Sequence, residues 1–99
     1  MPDLVIVTRD GLVKRTDVKE YKTHHRATGG VLALRLRKGD EVAGLVEVER
    51  VTQTVMVVTN KGTALRFKAG EIPRTGRRTL GVIGLKLKKG ERIVSVTAL

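Results

Sequence analysis

The chain has 99 residues, 40% of them apolar, which is enough for one small globular domain with a modest core. Twenty Lys plus Arg against ten Asp plus Glu give a net charge of +10, an excess that points to a polyanionic partner. With no Cys there is no disulfide framework or thiolate chemistry, and no apolar run approaches the ~20 residues a bilayer span needs, so a cytoplasmic location without a membrane partner is expected.

Shifted by 51 positions, residues 4–48 lie on residues 55–99 without a gap and with thirteen identities, among them Thr8/Thr59, Gly11/Gly62, Arg15/Arg66, Arg26/Arg77 and Gly39/Gly90. The chain is therefore read as two copies of one unit, with boundaries at 1–50 and 51–99. Single units of repeat proteins cannot bury their apolar face alone and need neighbours. The charge is shared unevenly: residues 1–49 carry nine basic and eight acidic side chains, whereas residues 50–99 carry eleven and two.

In chain order, each unit opens with a β-branched run, LVIVT (4–8) and TVMVVT (54–59). The turn dipeptides Asp10-Gly11 and Lys61-Gly62 follow, and each predicts a hairpin with glycine at positive φ. Residues 16–30 and 67–81 lack a helical apolar stripe and read as long loops with at most one helical turn. Then come VLALRLRKGDEV (31–42) and VIGLKLKKGERI (82–93), where period-2 alternation buries Leu32, Leu34, Leu36, Ile83, Leu85 and Leu87. The turns KGD and KGE lead to final strands over 42–48 and 93–99. The expectation is an all-β chain of two four-stranded antiparallel units, joined by a short, rigid junction at 49–54.

The opposite face of each third strand carries cations. Arg35/Arg37 and Lys86/Lys88 form two ladders, extended at the turns by Lys38 and Lys89. Alternate strand residues sit roughly 6.5–7 Å apart on one face, a spacing that can follow a phosphate backbone. Solvation of an exposed strand is the competing reading. The second loop adds Arg74, Arg77 and Arg78 around Gly76, and Arg26 is the first-unit counterpart of Arg77. Arg77 and Arg26 could equally pin their loops through backbone carbonyls.

Two rings, Tyr21 and Phe67, are too few for a base-stacking platform, and no helix is available for a major groove. Tyr21 aligns with Ile72 and reads as a packing residue. His24-His25 lacks a third ligand, so no metal is expected. With one serine and no nucleophile, base and acid set, neither catalysis nor a cofactor nor a small-molecule substrate is expected. Asp40, Glu41, Glu47 and Glu49 read as a solvated acidic cluster.

The strings V-V-T-x-x-G (57–62), G-R-x-T-x-G-V (76–82) and L-K-L-x-x-G-E (85–91), together with their first-unit counterparts, resemble the repeats of the C-terminal domain of DNA gyrase A and of its topoisomerase IV relative. The resemblance covers essentially the whole chain. It implies four-stranded blades of a β-pinwheel that exchange a strand between neighbours, with duplex DNA bent around a basic rim. Two features depart from that pattern. The loop at 24–30 reads HHRATGG and keeps only Arg26 and Gly30 of the family's Q-R-R-G-G-K-G wrapping box, so strong chiral wrapping is not expected. The chain also carries two repeats where the family domain carries several.

The sequence therefore predicts a non-enzymatic, largely sequence-independent binder of double-stranded DNA that acts at the nucleoid. Its contacts are expected to be Arg26, Arg35, Arg37, Lys38, Arg74, Arg77, Arg78, Lys86, Lys88 and Lys89. Open β edges predict a homodimer or larger ring formed by blade exchange. The rival is a protein interaction module that docks on an acidic partner such as a topoisomerase.

Overall fold

A computed structural model describes residues 2–17, 38–74 and 83–99. Expectations for Tyr21, His24, His25, Arg26 and the strand over 31–37, with Arg35 and Arg37, lie outside the described residues, as do those for Arg77 and Arg78. Each unit opens with the expected hairpin. In the first, β1 (Asp3–Thr8) pairs antiparallel with β2 (Leu12–Asp17); in the second, β4 (Thr54–Thr59) pairs with β5 (Ala64–Lys68). Gly11 and Gly62 adopt φ of 93° and 82°, the left-handed conformation that their turns require. The closing strands β3 (Val42–Val48) and β7 (Ile93–Ala98) return along β1 and β4. Both returns carry a register shift at the equivalent place, between Val7 and Thr8 and between Val58 and Thr59. A single turn of 3₁₀-helix, Ala69–Glu71, follows β5.

The third run does not stay in its own unit. Residues 83 and 84 form β6 (Ile83–Gly84), which pairs with β2, so the first sheet has the order β3-β1-β2-β6 and the second has only β5-β4-β7. Leu85 continues the crossing by donating its amide to Gly11 O at 2.7 Å. The first sheet thus has four strands, the fourth supplied by the second unit, in line with the strand exchange that the resemblance implies; among the described residues the second sheet has three, and the run at 31–37 lies outside them. The expected cationic strand is shorter, because residues 85–88 lie outside any ladder. The alternation survives nonetheless, with Leu85 and Leu87 half-buried against the core and Lys86 and Lys88 exposed.

One apolar core lies between the sheets. Val5, Val7, Val13 and Val48 of the first sheet meet Val55, Val57, Phe67 and Ile93 of the second, with Ala69 and Ile72 at the end. All six residues of β1 are buried, whereas β4 alternates between buried and half-buried, so β1 is covered on both faces and β4 fully on one. The expected rigid junction has a physical basis: Ala69 N donates to Gln53 O at 2.9 Å and Gly70 N to Val51 O at 2.8 Å.

The sheets approach closely at Gly44, where a Cβ would stand 3.0 Å from Val96 Cγ2 and 3.1 Å from Val96 Cβ. A Gly44→Val substitution is expected to destabilise the fold by about 1–3 kcal/mol through overpacking. Ser95→Val, at the repeat-equivalent but exposed position, is expected to stay within about 0.5 kcal/mol. Chemical denaturation midpoints check both, and equal effects would contradict the packing assignment.

Candidate nucleic-acid interface

The turns after the third run are built the same way in both units. Gly39 and Gly90 hold φ of 84° and 78°, and the acidic residue that follows each is turned inward. Asp40 Oδ1 accepts the amides of Asp10 at 3.0 Å and Glu41 at 2.8 Å. Glu91 Oε1 accepts the amide of Lys88 at 3.0 Å, and Glu91 Oε2 accepts the hydroxyl of Thr59 at 2.7 Å. Asp40 is therefore a buried clamp between two turns and not a solvated member of an acidic cluster, although Glu41, Glu47 and Glu49 are exposed as expected. The physical reason is that the tight turns leave amides unpaired inside the hairpin, and a carboxylate is a strong acceptor for them. Thr8 and Thr59 serve the same end: Thr8 Oγ1 accepts Leu12 N at 3.0 Å, and Thr59 Oγ1 accepts Lys61 N and Thr63 N, each at 3.2 Å.

The cations are thereby presented outward. Lys38, Lys86, Lys88 and Lys89 are exposed, and none of them is in an ion pair among the described residues. At the end of the second unit, two hairpin turns are tied together by Asn60. Its Oδ1 accepts Arg92 N at 2.9 Å, its Nδ2 donates to Gly90 O at 3.2 Å, and its amide donates to Arg92 O at 2.9 Å. Lys61 Nζ reaches Lys89 O at 2.9 Å. The first unit has a different tip, where Arg9 pairs with Glu41 at 3.2 Å.

Arg74 has a more structural position than its loop suggested. Its Nη2 lies 2.9 Å from Oδ1 of Asp3, and Arg15 Nη1 lies 2.7 Å from Oδ2 of the same carboxylate. Asp3 and Arg15 are nearly buried, with side-chain exposures of 5% and 11%, while Arg74 keeps 51%. Arg15 Nε also donates to Ile72 O at 2.6 Å, so one guanidinium of the first sheet holds the backbone of the second unit's loop. The identity Arg15/Arg66 was the signal for this hook, but Asp3 has no acidic counterpart, since its repeat position is Thr54.

The chain is similar to known proteins along almost its whole length. The family model described as DNA gyrase C-terminal domain, beta-propeller, matches residues 2–49 and 53–99. The DNA gyrase A protein of Deinococcus deserti is 39% identical over 88% of this chain, and that of Escherichia coli K12 is 36% identical over 94%. The chain spans only 10% and 11% of those relatives. Among solved structures, the C-terminal domain of DNA topoisomerase IV superposes with a TM-score of 0.83 at 32% identity, covering 99% of this chain and 30% of that one. A DNA gyrase A C-terminal domain superposes at 0.79 and 28% identity, covering 98% and 31%.

The Glu91 carboxyl sits below its ordinary range, chiefly because the Lys88 amide and then the Thr59 hydroxyl stabilise its ionised form. A carboxyl depressed in the folded state contributes stability that is present above the unfolded value and lost as pH falls through the folded one. The wild type is therefore expected to melt higher than Glu91→Gln near neutral pH, with the gap closing below about pH 4.3, the usual Glu range. A gap that stays constant across thermal melts in this range would refute the clamp.

Proposed function

We propose that this chain, which belongs to the DNA gyrase C-terminal β-propeller family, binds duplex DNA without catalysing a reaction and holds or bends it along a cationic rim. The rim comprises Arg26, Arg35, Arg37, Lys38, Arg74, Arg77, Arg78, Lys86, Lys88 and Lys89, carried on two blades at 1–50 and 51–99. The observation that carries this reading is the exposure of Lys38, Lys86, Lys88 and Lys89 without a pairing carboxylate among the described residues, in a chain of net +10. Arg74 gives one side of its guanidinium to Asp3 and stays half exposed. Contacts are to phosphates, so readout is largely independent of sequence and takes place in the cytoplasm at the nucleoid.

Assembly belongs to the same reading. The first sheet's Val5, Val7, Val13 and Arg15 are covered by the second unit. The equivalent face of the second sheet, with Met56, Val58, Ala64 and Arg66, is only half-buried or exposed. Beside it lies an open recess of about 580 Å³ lined by Thr54, Arg66, Phe67, Lys68 and Leu99. A second copy that supplies a strand beside β5, an edge strand among the described residues, would repeat the pairing β6 makes with β2. The rival, docking on an acidic protein such as a topoisomerase, draws on the near-neutral first unit and its Arg9–Glu41 pair.

Mobility-shift titrations at several salt concentrations separate these readings. DNA binding predicts an affinity that falls steeply with salt, at a slope of about −0.9 per phosphate neutralised. Lys86→Glu/Lys88→Glu is expected to weaken binding alike on unrelated sequences. No shift at all would favour the protein partner. For assembly, light scattering is expected to give a mass above the 10.8 kDa of one chain, and a stable monomer at high concentration would remove that part.

A further inference from the structure

The two units differ in charge where their hairpin turns meet. The first-unit tip, Arg9, Asp10, Lys38, Asp40 and Glu41, has two cations against three carboxylates. The same positions in the second unit, Asn60, Lys61, Lys89, Glu91 and Arg92, have three cations against one. The one carboxylate, Glu91, is turned inward onto the Thr59 hydroxyl and the Lys88 amide. Arg9, the arginine of the first tip, is already paired with Glu41.

The geometry points to this double turn as the principal phosphate-binding point of the second unit, with Lys61 and Arg92 as contacts beyond Lys88 and Lys89; the inference rests on the reading that the chain binds duplex DNA. Asn60, in one turn, holds the other through its Gly90 carbonyl and Arg92 amide. Lys61 Nζ lies against Lys89 O, so two ammonium-bearing residues share one small surface. Cationic residues gathered at one tip favour a polyanion, and duplex DNA offers a charge about every 1.7 Å along its axis. The same tip in the first unit would be passed over, so DNA would approach one end of the second blade in preference to the first.

The test is a salt titration of affinity on one duplex. Lys61→Ala/Arg92→Ala is expected to flatten the dependence of log affinity on log salt by about 2, at roughly 0.9 for each phosphate no longer neutralised. Asp10→Lys/Glu41→Arg, which leaves the first tip four cations against one carboxylate, is expected to steepen it. Lys61→Asp/Arg92→Glu uses residues the first tip already accommodates and provides a second variant should the alanine pair fold poorly; it is expected to weaken binding further. An unchanged slope in a folded Lys61/Arg92 variant, while Lys86→Ala/Lys88→Ala still flattens it, overturns the tip assignment and leaves DNA binding intact. A wild-type chain that binds no DNA overturns both.

Discussion

One nearly buried carboxylate links the two repeats through an arginine of each. Asp3 is the first residue of the first strand, and it is nearly buried between a guanidinium of its own sheet and one from the second unit's loop. An ion pair with so little solvent is costly to form and costly to break from one side, since the remaining charges would then lie buried without a partner. The net gain in stability is small, but the arrangement is specific. The start of the second loop is held at two points, by Asp3 on Arg74 and by Arg15 Nε on the Ile72 carbonyl. With β6 beside β2 and Gly44 against Val96, these contacts hold the second sheet against the first.

From that constraint follows an asymmetry between units that share a fold. β1 is covered on both faces, whereas β4 is only half-buried on one, and β5 is an edge strand among the described residues. The turns are equivalent in backbone, with glycine at positive φ in each and an inward acid after each KG pair of the third run. Their outward side chains differ in sign. The shared geometry belongs to folding and the divergent charge to binding, because backbone hydrogen bonds inside a turn do not depend on what the exposed side chains carry.

Particular residues show how much is legible in the linear chain. The hairpins can be read at Asp10-Gly11 and Lys61-Gly62, where a dipeptide by itself sets the turn. The burial of Leu85 and Leu87 follows from alternation, and the equivalence of the units follows from the 51-residue shift. Asp40 is hidden from such a reading because a carboxylate after a turn looks solvated until the amides it faces are known. Lys14 aligns with the half-buried Leu65, yet it is fully buried, which no rule about lysine on an exposed hairpin would suggest. Arg74 looks like a member of a cationic loop, and its carboxylate partner lies 71 residues away.

What the sequence determined by itself is therefore local and periodic: two units, their turns, their apolar faces, and a second unit far more basic than the first. These rest on interactions between near neighbours, which a linear string contains. Which sheet receives the third run, whether an exposed arginine faces solvent or a buried acid, and which turns come together at one tip were decided by the tertiary structure. Each depends on contacts between distant segments, and those exist only once the second unit has packed onto the first.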